Sequence, residues 1–491
     1  GMLQAFWAPT GREELAYVPE GLHPTLAELT RPSYRHRYFV DGSPLAGDVR
    51  LGDQWRTYLA TFLGAGGRGY AVLDVTDPAD FSASRAASVV VMDNTATSTL
   101  DPDIGHITAE PAMARETPSA TRQITQLNDG RWALVVGNGY NSPNGRAVLL
   151  IQYLDGAREL RKLVADEARA PAPDAPADGL GAPRLVDLDG DRIPDAAYAG
   201  DLRGRLWKFD LGASDPASAD QPWGVAFDGK PLFVAQDASG VAQPITAAPA
   251  WLAHPQGGMM LVSRPGRQLT DADRTDTAPQ WIYGVRDTTV SSTDAAGLRS
   301  TAQGTPISAG RAALVEQTVS ASSSGTADAS GARLWTFSAN AVAYSGDDAR
   351  RGWYIDLPER GERVLANPGW FDGLLLDVAS IVPAGANAAP DTPEACEPAA
   401  STERLFLNTL NGLDGSAPRT TLYAYTPAVP ATPPGTQAPP ATGTASRIEG
   451  KLRVSVKSEQ ADKGVCPPGA PCEDRARLGR TALRPSWRLL N

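Results

Sequence analysis

A short segment returns seven times along this chain, and few folds accommodate that. Each copy has a glycine or polar entry, then alternating apolar and aromatic residues, and often a closing aspartate. The copies occupy residues 1–7, 69–75, 146–153, 204–210, 280–287, 352–356 and 421–425. Alternation with a period of two turns one face of each segment inward and reads as a β-strand. Most copies follow a second strand-like stretch, at 55–62, 132–137, 196–199, 259–262, 334–337 and 405–410. A single hairpin of this kind cannot bury its own apolar face, whereas hairpins stacked on their neighbours can. The copies lie 58–77 residues apart, further than the ~40–50 residues of a WD40 or kelch blade. The expected fold is therefore all-β: a modified, about seven-bladed β-propeller with long inter-strand loops. A β-sandwich or two smaller β-domains is the competing arrangement, and a recurring unit of similar length favours stacking.

The intervals between hairpins are rich in Ala, Pro, Asp, Ser and Thr, notably at 168–178, 320–331 and 383–400. A Pro/Thr/Ala-rich stretch at 426–446 reads as an extended linker that builds no core. The predicted organisation is a propeller over 1–428, a linker and Cys-bearing loop over 429–477, and a closing strand or clasp over 478–491. That last segment is basic and carries the isolated Trp487. One short helix is expected over 24–29, with Thr25 as its cap.

The second constraint is a cluster of acids. Asp187, Asp189, Asp191 and Asp195 stand at positions 1, 3, 5 and 9 of a D-x-D-x-D loop. A hard cation such as Ca²⁺ takes six to eight oxygens, and alternate residues of a tight loop supply them. Position 7, Ile193, would donate its backbone carbonyl. The plainer alternative is a solvated acidic turn, but four carboxylates packed this closely repel one another without a cation. Two features depart from the EF-hand pattern. Tyr198 replaces the bidentate Glu at position 12, and Arg192 stands at position 6, where a positive φ favours Gly. The expectation is a calcium loop between strands. A second acidic stretch, Asp271, Asp273 and Asp276, fits no loop template and reads as solvated.

Composition excludes several classes. The net charge of −11, from 56 acidic and 45 basic residues, argues against a broad nucleic-acid footprint. No apolar run approaches the ~18 residues of a membrane-spanning helix. Cys466 and Cys472 could close a small disulfide loop, leaving Cys396 free or paired otherwise; three loop thiols are the alternative. The chain opens mid-hairpin without a basic and apolar leader, which predicts a further region upstream.

The motifs in order resemble the C-terminal domain of PilY-like proteins, the type IV pilus biogenesis factors and tip-associated adhesins. The residues that carry the likeness are GAGGRGYAVLDVTDP at 64–78, GNGYN at 137–141, the acidic loop with YAGDL at 198–202, and GRLWKFDL at 204–211. GWYIDLP at 352–358 and SWR at 486–488 also fit. The resemblance implies a modified β-propeller with one EF-hand-like Ca²⁺ site, held by Asp187, Asp189, Asp191, the Ile193 carbonyl and Asp195. It implies partners among pilins, minor pilins and pilus assembly proteins, and host or surface ligands. It implies a place at the outer-membrane surface or pilus tip of a Gram-negative bacterium, extracellular after export through the periplasm. It also implies that calcium governs pilus extension and retraction, and with them twitching motility and adhesion. The family loop commonly carries Gly where this chain has Arg192.

The rival reading is an enzyme, a quinoprotein dehydrogenase, since such enzymes also use propellers and calcium. This chain lacks their adjacent cysteine pair, and its four clustered aspartates look committed to one loop, leaving no open coordination position. The histidines, His23, His36, His106 and His254, are scattered without a nucleophile motif and read as surface or packing residues. The expectation is a binding and assembly module, not an enzyme.

Overall fold

The computed structural model describes residues 2–108, 110, 112, 123–166, 177–218, 222–270, 273, 276–293, 299–321, 333–338, 340–372, 375–382, 401–412, 422–425, 443–448 and 451–456. Two compact units partition the chain, 1–250 with 287–310, and 251–286 with 311–491.

The first unit opens with a two-stranded hairpin, β1 (Leu3–Trp7) and β2 (Arg12–Tyr17). A four-stranded antiparallel sheet follows, built in chain order from β3 (Leu45–Leu51), β4 (Gln54–Phe62), β5 (Tyr70–Asp74) and β6 (Val90–Asn94). The next has the same order, from β7 (Ile124–Gln126), β8 (Trp132–Gly137), β9 (Val148–Tyr153) and β10 (Leu160–Val164). The third comprises β11 (Arg184–Val186), β12 (Ala196–Gly200), β13 (Arg205–Asp210), β14 (Gly224–Val225) and β15 (Phe233–Val234), with β14 and β15 both pairing to β13.

The alternation that marked the repeats explains how these sheets stack. In β8 and β9, Leu134, Val136, Val148 and Leu150 enter one core with Val49, Tyr58 and Phe62 of the sheet before. Their neighbours Ala133, Val135, Leu149 and Ile151 enter another core with Leu185, Ala197, Trp207 and Phe209 of the sheet after. One sheet thus buries both faces, which is why β9 is apolar at nearly every position and wholly buried. Gly204 shows the geometric demand of the joining turns. Its φ is +74, and a Cβ there would sit 2.5 Å from the Ala235 carbonyl oxygen, so the turn between β12 and β13 requires glycine.

In the second unit, one five-stranded sheet runs in the order Ala250–Ala253, Met259–Ser263, Trp281–Asp287, Gly352–Asp356 and Val315–Gln317. Two three-stranded sheets join Val319–Ala321, Arg333–Phe337 and Leu422–Tyr425, and Gly369–Asp372, Leu375–Val382 and Ser401–Asn408.

The structure revises four local expectations. Two of the seven recurring segments share a single sheet, with Trp281 opposite Asp356 and Tyr283 opposite Tyr354. The segment pattern marks a buried strand but says nothing of which strand it pairs with. Inside the stretch read as a linker, Gly443–Ile448 and Lys451–Val456 pair as an antiparallel hairpin; Leu452, Val454 and Val456 alternate with polar residues, a strand period that Pro/Thr-rich composition masks. The short helix is 3₁₀ and runs over Glu20–Thr30, with Thr25 inside it bonding back to the Leu22 carbonyl. Asp273 is not solvated. It is 1% exposed, accepts from the Leu269 and Thr270 amides at 2.9 and 2.8 Å and pairs with Arg267 at 2.7 Å. Those donors hold its carboxyl below the usual range despite burial, which opposes them. Cys396, Cys466, Cys472 and the segment 478–491 lie outside the described residues.

Candidate metal centre

The acidic loop connects adjacent antiparallel strands. Val186 of β11 faces Ala196 of β12, and the Asp195 amide closes the loop on the Val186 carbonyl at 2.9 Å. Within it, Asp187, Asp189 and Asp195 bring one carboxylate oxygen each to within 4.8 Å of one another. Among the described residues this is the one such group of three or more His, Cys, Asp or Glu side chains. Asp191 stands apart, exposed, with Oδ1 accepting the Ile193 amide at 2.7 Å. Ile193 is half-buried, the next residue but one before the buried Asp195.

The backbone shapes the loop around Asp187. Its Oδ1 accepts from the Gly190 amide at 2.6 Å and its Oδ2 from the Arg192 amide at 2.8 Å. Asp195, 2% exposed, accepts the Leu188 amide on Oδ2 at 2.7 Å. Gly190 and Arg192 both take positive φ, 92° and 75°. For Arg192 this left-handed conformation costs about 1 kcal/mol, as position 6 of the pattern implied.

Three carboxylates at this separation repel by about 3 kcal/mol per pair at an effective dielectric of about 20. All three donors are hard oxygens, from positions 1, 3 and 9 of one loop. This donor set fits a hard divalent cation, with Asp187, Asp189 and Asp195 as the residues that would hold it. A unit charge about 7 Å from a divalent ion, screened by water and by physiological salt, opposes it by about 0.5 kcal/mol. Arg192→Gly is accordingly expected to tighten Ca²⁺ binding about two- to threefold in a calorimetric titration. Its effect on stability is expected to be small, because relief of strain is offset by the extra freedom glycine gains in the unfolded chain.

Three features around the loop carried no sequence signal of their role. Tyr198, at position 12, is fully buried and donates its hydroxyl to Asp287 Oδ2 at 2.7 Å; burial first, then that carboxylate, hold its phenol protonated. Lys208, also fully buried, lies 3.5 Å from Asp287 and donates to Thr289 at 2.9 Å. Asn128, in the Asn-Asp-Gly turn between β7 and β8, reaches the loop itself. Its Nδ2 lies 3.2 Å from Asp195 Oδ1, 3.1 Å from the Pro194 carbonyl and 3.0 Å from the Leu211 carbonyl.

Asp178 is the last residue of the Ala/Pro-rich interval at 168–178. It is tied to the β12–β13 hairpin by Arg205 at 2.5 Å and by the Leu202 amide at 3.1 Å. Arg205 also pairs with Asp201 and Asp166, each at 2.6 Å. An ion-pair cluster therefore makes this junction. Of the histidines, His254 is buried edge-on to Tyr344 at 4.3 Å, with its pKa lowered to about 4 by burial. His106 Nδ1 meets the Gly64 carbonyl at 2.8 Å. His23 and His36 are exposed.

The sequence model of the PilY1 beta-propeller domain matches residues 8–330. The chain belongs to the PilY1 β-propeller family. Its all-β architecture is the propeller of that family. A type IV pilus biogenesis factor PilY1 homolog of Xylella fastidiosa is 36% identical over 382 residues, 75% of this chain and 23% of the relative. The type IV pilus biogenesis factor PilY1 of Pseudomonas aeruginosa is 35% identical over 382 residues, 74% of this chain and 30% of the relative. The chain thus spans less than a third of the length of either. The crystal structure of the Pseudomonas aeruginosa PilY1 C-terminal domain superposes with a TM-score of 0.66 at 28% identity, covering 94% of this chain and 89% of that one. No helix among the described residues is long and apolar enough to cross a membrane.

Proposed function

We propose that this chain is the calcium-responsive binding and assembly module of a type IV pilus biogenesis factor. The observation that carries the reading is the gathering of Asp187, Asp189 and Asp195 within 4.8 Å in one interstrand loop of a chain belonging to the PilY1 β-propeller family. Those residues bind Ca²⁺. The ion removes the mutual repulsion of the carboxylates and fixes the loop that joins β11 to β12. The module acts outside the cell, at the outer-membrane surface or pilus tip of a Gram-negative bacterium. Its partners are pilins, minor pilins and assembly proteins, with adhesion to host or other surfaces as the outcome. Its role is to set the balance of pilus extension and retraction by binding, without catalysing a reaction.

The test is Asp189→Ala in the full-length protein, in bacteria grown in low and in high calcium. Surface piliation and twitching should lose their dependence on calcium, while the protein is exported in normal amounts. Calcium-dependent motility equal to that of the wild type would refute the regulatory role and leave the ion, if bound, a structural one.

A further inference from the structure

We infer that Asn128 is a positioning residue for the metal loop, and that cation binding is transmitted through it to the β7–β8 turn of the neighbouring sheet. This rests on the calcium reading above and adds the route by which the ion acts.

The geometry carries the argument. Asn128 lies on a different sheet from the loop and is separated from Asp195 by 67 residues of chain. Its amide nitrogen has two hydrogens and stands within hydrogen-bond distance of three acceptors: Asp195 Oδ1, the Pro194 carbonyl and the Leu211 carbonyl. At least one hydrogen is therefore shared. Leu211 is itself bonded to the loop, its amide donating to the Asp195 carbonyl at 2.8 Å. One side chain thus gathers the last two residues of the loop and the residue that follows β13. A donor fixed on one oxygen of a metal-binding carboxylate orients the other and tunes its affinity. When a cation draws on Asp195, the sharing of that amide must change, and the turn that carries it must respond.

The turn is built to pass such a response on. The Leu127 amide bonds to the Arg131 carbonyl and the Gly130 amide to the Leu127 carbonyl, both at 2.9 Å. Asp129 accepts the Tyr153 hydroxyl at 2.5 Å and the Arg131 amide at 3.0 Å. Asn128 is thus a polar projection from a turn already anchored to its own sheet. The ion-pair cluster at Asp178 holds the hairpin on its other side and contains no member of the carboxylate group.

The experiment is a Ca²⁺ titration of wild type, Asn128→Ala and Asp189→Ala, combined with amide hydrogen exchange of the wild type with and without Ca²⁺. Asn128→Ala is expected to weaken Ca²⁺ about tenfold, while Asp189→Ala loses binding. In the wild type, Ca²⁺ should slow exchange at Leu127 and Gly130 as well as in 187–195. In Asn128→Ala at saturating Ca²⁺, protection should persist in the loop and vanish from the turn. Unchanged affinity in a folded Asn128→Ala chain, or wild-type turn amides indifferent to Ca²⁺, would overturn the inference while leaving the calcium site standing. A wild-type chain that takes up no Ca²⁺ would remove both. The exchange measurement on the wild type decides the matter even should Asn128→Ala fail to fold.

Discussion

Asp195→Ala is expected to weaken Ca²⁺ binding on the order of 100-fold, because charge count and rigidity of the donors set affinity in such loops. Asp195 is the buried member of the carboxylate group. It also accepts the Leu188 amide at 2.7 Å and faces Asn128. Removing it strips an oxygen ligand and leaves a backbone donor without its acceptor, a loss of about 1–3 kcal/mol. In chelator that loss is partly offset, since two carboxylates repel less than three. Thermal unfolding with and without Ca²⁺ separates the two effects. At Ca²⁺ one hundred times its dissociation constant, the wild type should gain about 2.7 kcal/mol by mass action, and the variant should gain almost nothing. An equal calcium-induced shift in both proteins would mean that the ion sits elsewhere.

Trp207→Ala is expected to cost about 3–5 kcal/mol, the range for truncating a large buried aromatic. Trp207 is 1% exposed and packs with Leu149, Ile151, Ala197 and Phe209, residues of two neighbouring sheets. Its indole nitrogen donates to Asp201 Oδ2 at 2.7 Å, and the Arg205 guanidinium lies 4.8 Å from its ring centroid. The truncation therefore opens a cavity between sheets and removes a donor from a buried carboxylate. Trp207→Phe should recover much of the packing but not the hydrogen bond, and fall between. Urea unfolding followed by far-ultraviolet circular dichroism would read both as lowered midpoints. An unfolding free energy for Trp207→Ala within about 1 kcal/mol of wild type would mean that the recurring aromatic segment does not form the inter-sheet core.

The strands and the acidic loop were legible for the same reason: each is encoded by local spacing. A continuous apolar run at 146–153 and alternation at 204–210 need no knowledge of partners to specify a buried strand, and aspartates at every second residue need none to specify an oxygen-rich loop. Arg192 is similar, since a positive φ at position 6 follows from the loop pattern and is found at 75°. What stayed illegible depends on distant chain. Nothing near 280–287 announces that 352–356 lies beside it in one sheet. Lys208 alternates as a strand residue should, yet it is buried because Asp287 and Thr289 surround its ammonium. Asp273 is a different case: its oxygens accept from local donors, the Leu269 and Thr270 amides and Arg267, which the acidic composition of the stretch conceals. Asn128 reads only as a turn residue, because the target of its side chain lies on another sheet.

The most direct test of the calcium account is a calorimetric titration of the chelator-stripped wild-type chain with Ca²⁺. The account predicts saturable binding of one ion, lost in Asp189→Ala and weakened in Asn128→Ala. A stripped, folded chain that takes up no Ca²⁺ would contradict it, and would leave the three gathered carboxylates as a strained turn without a cation.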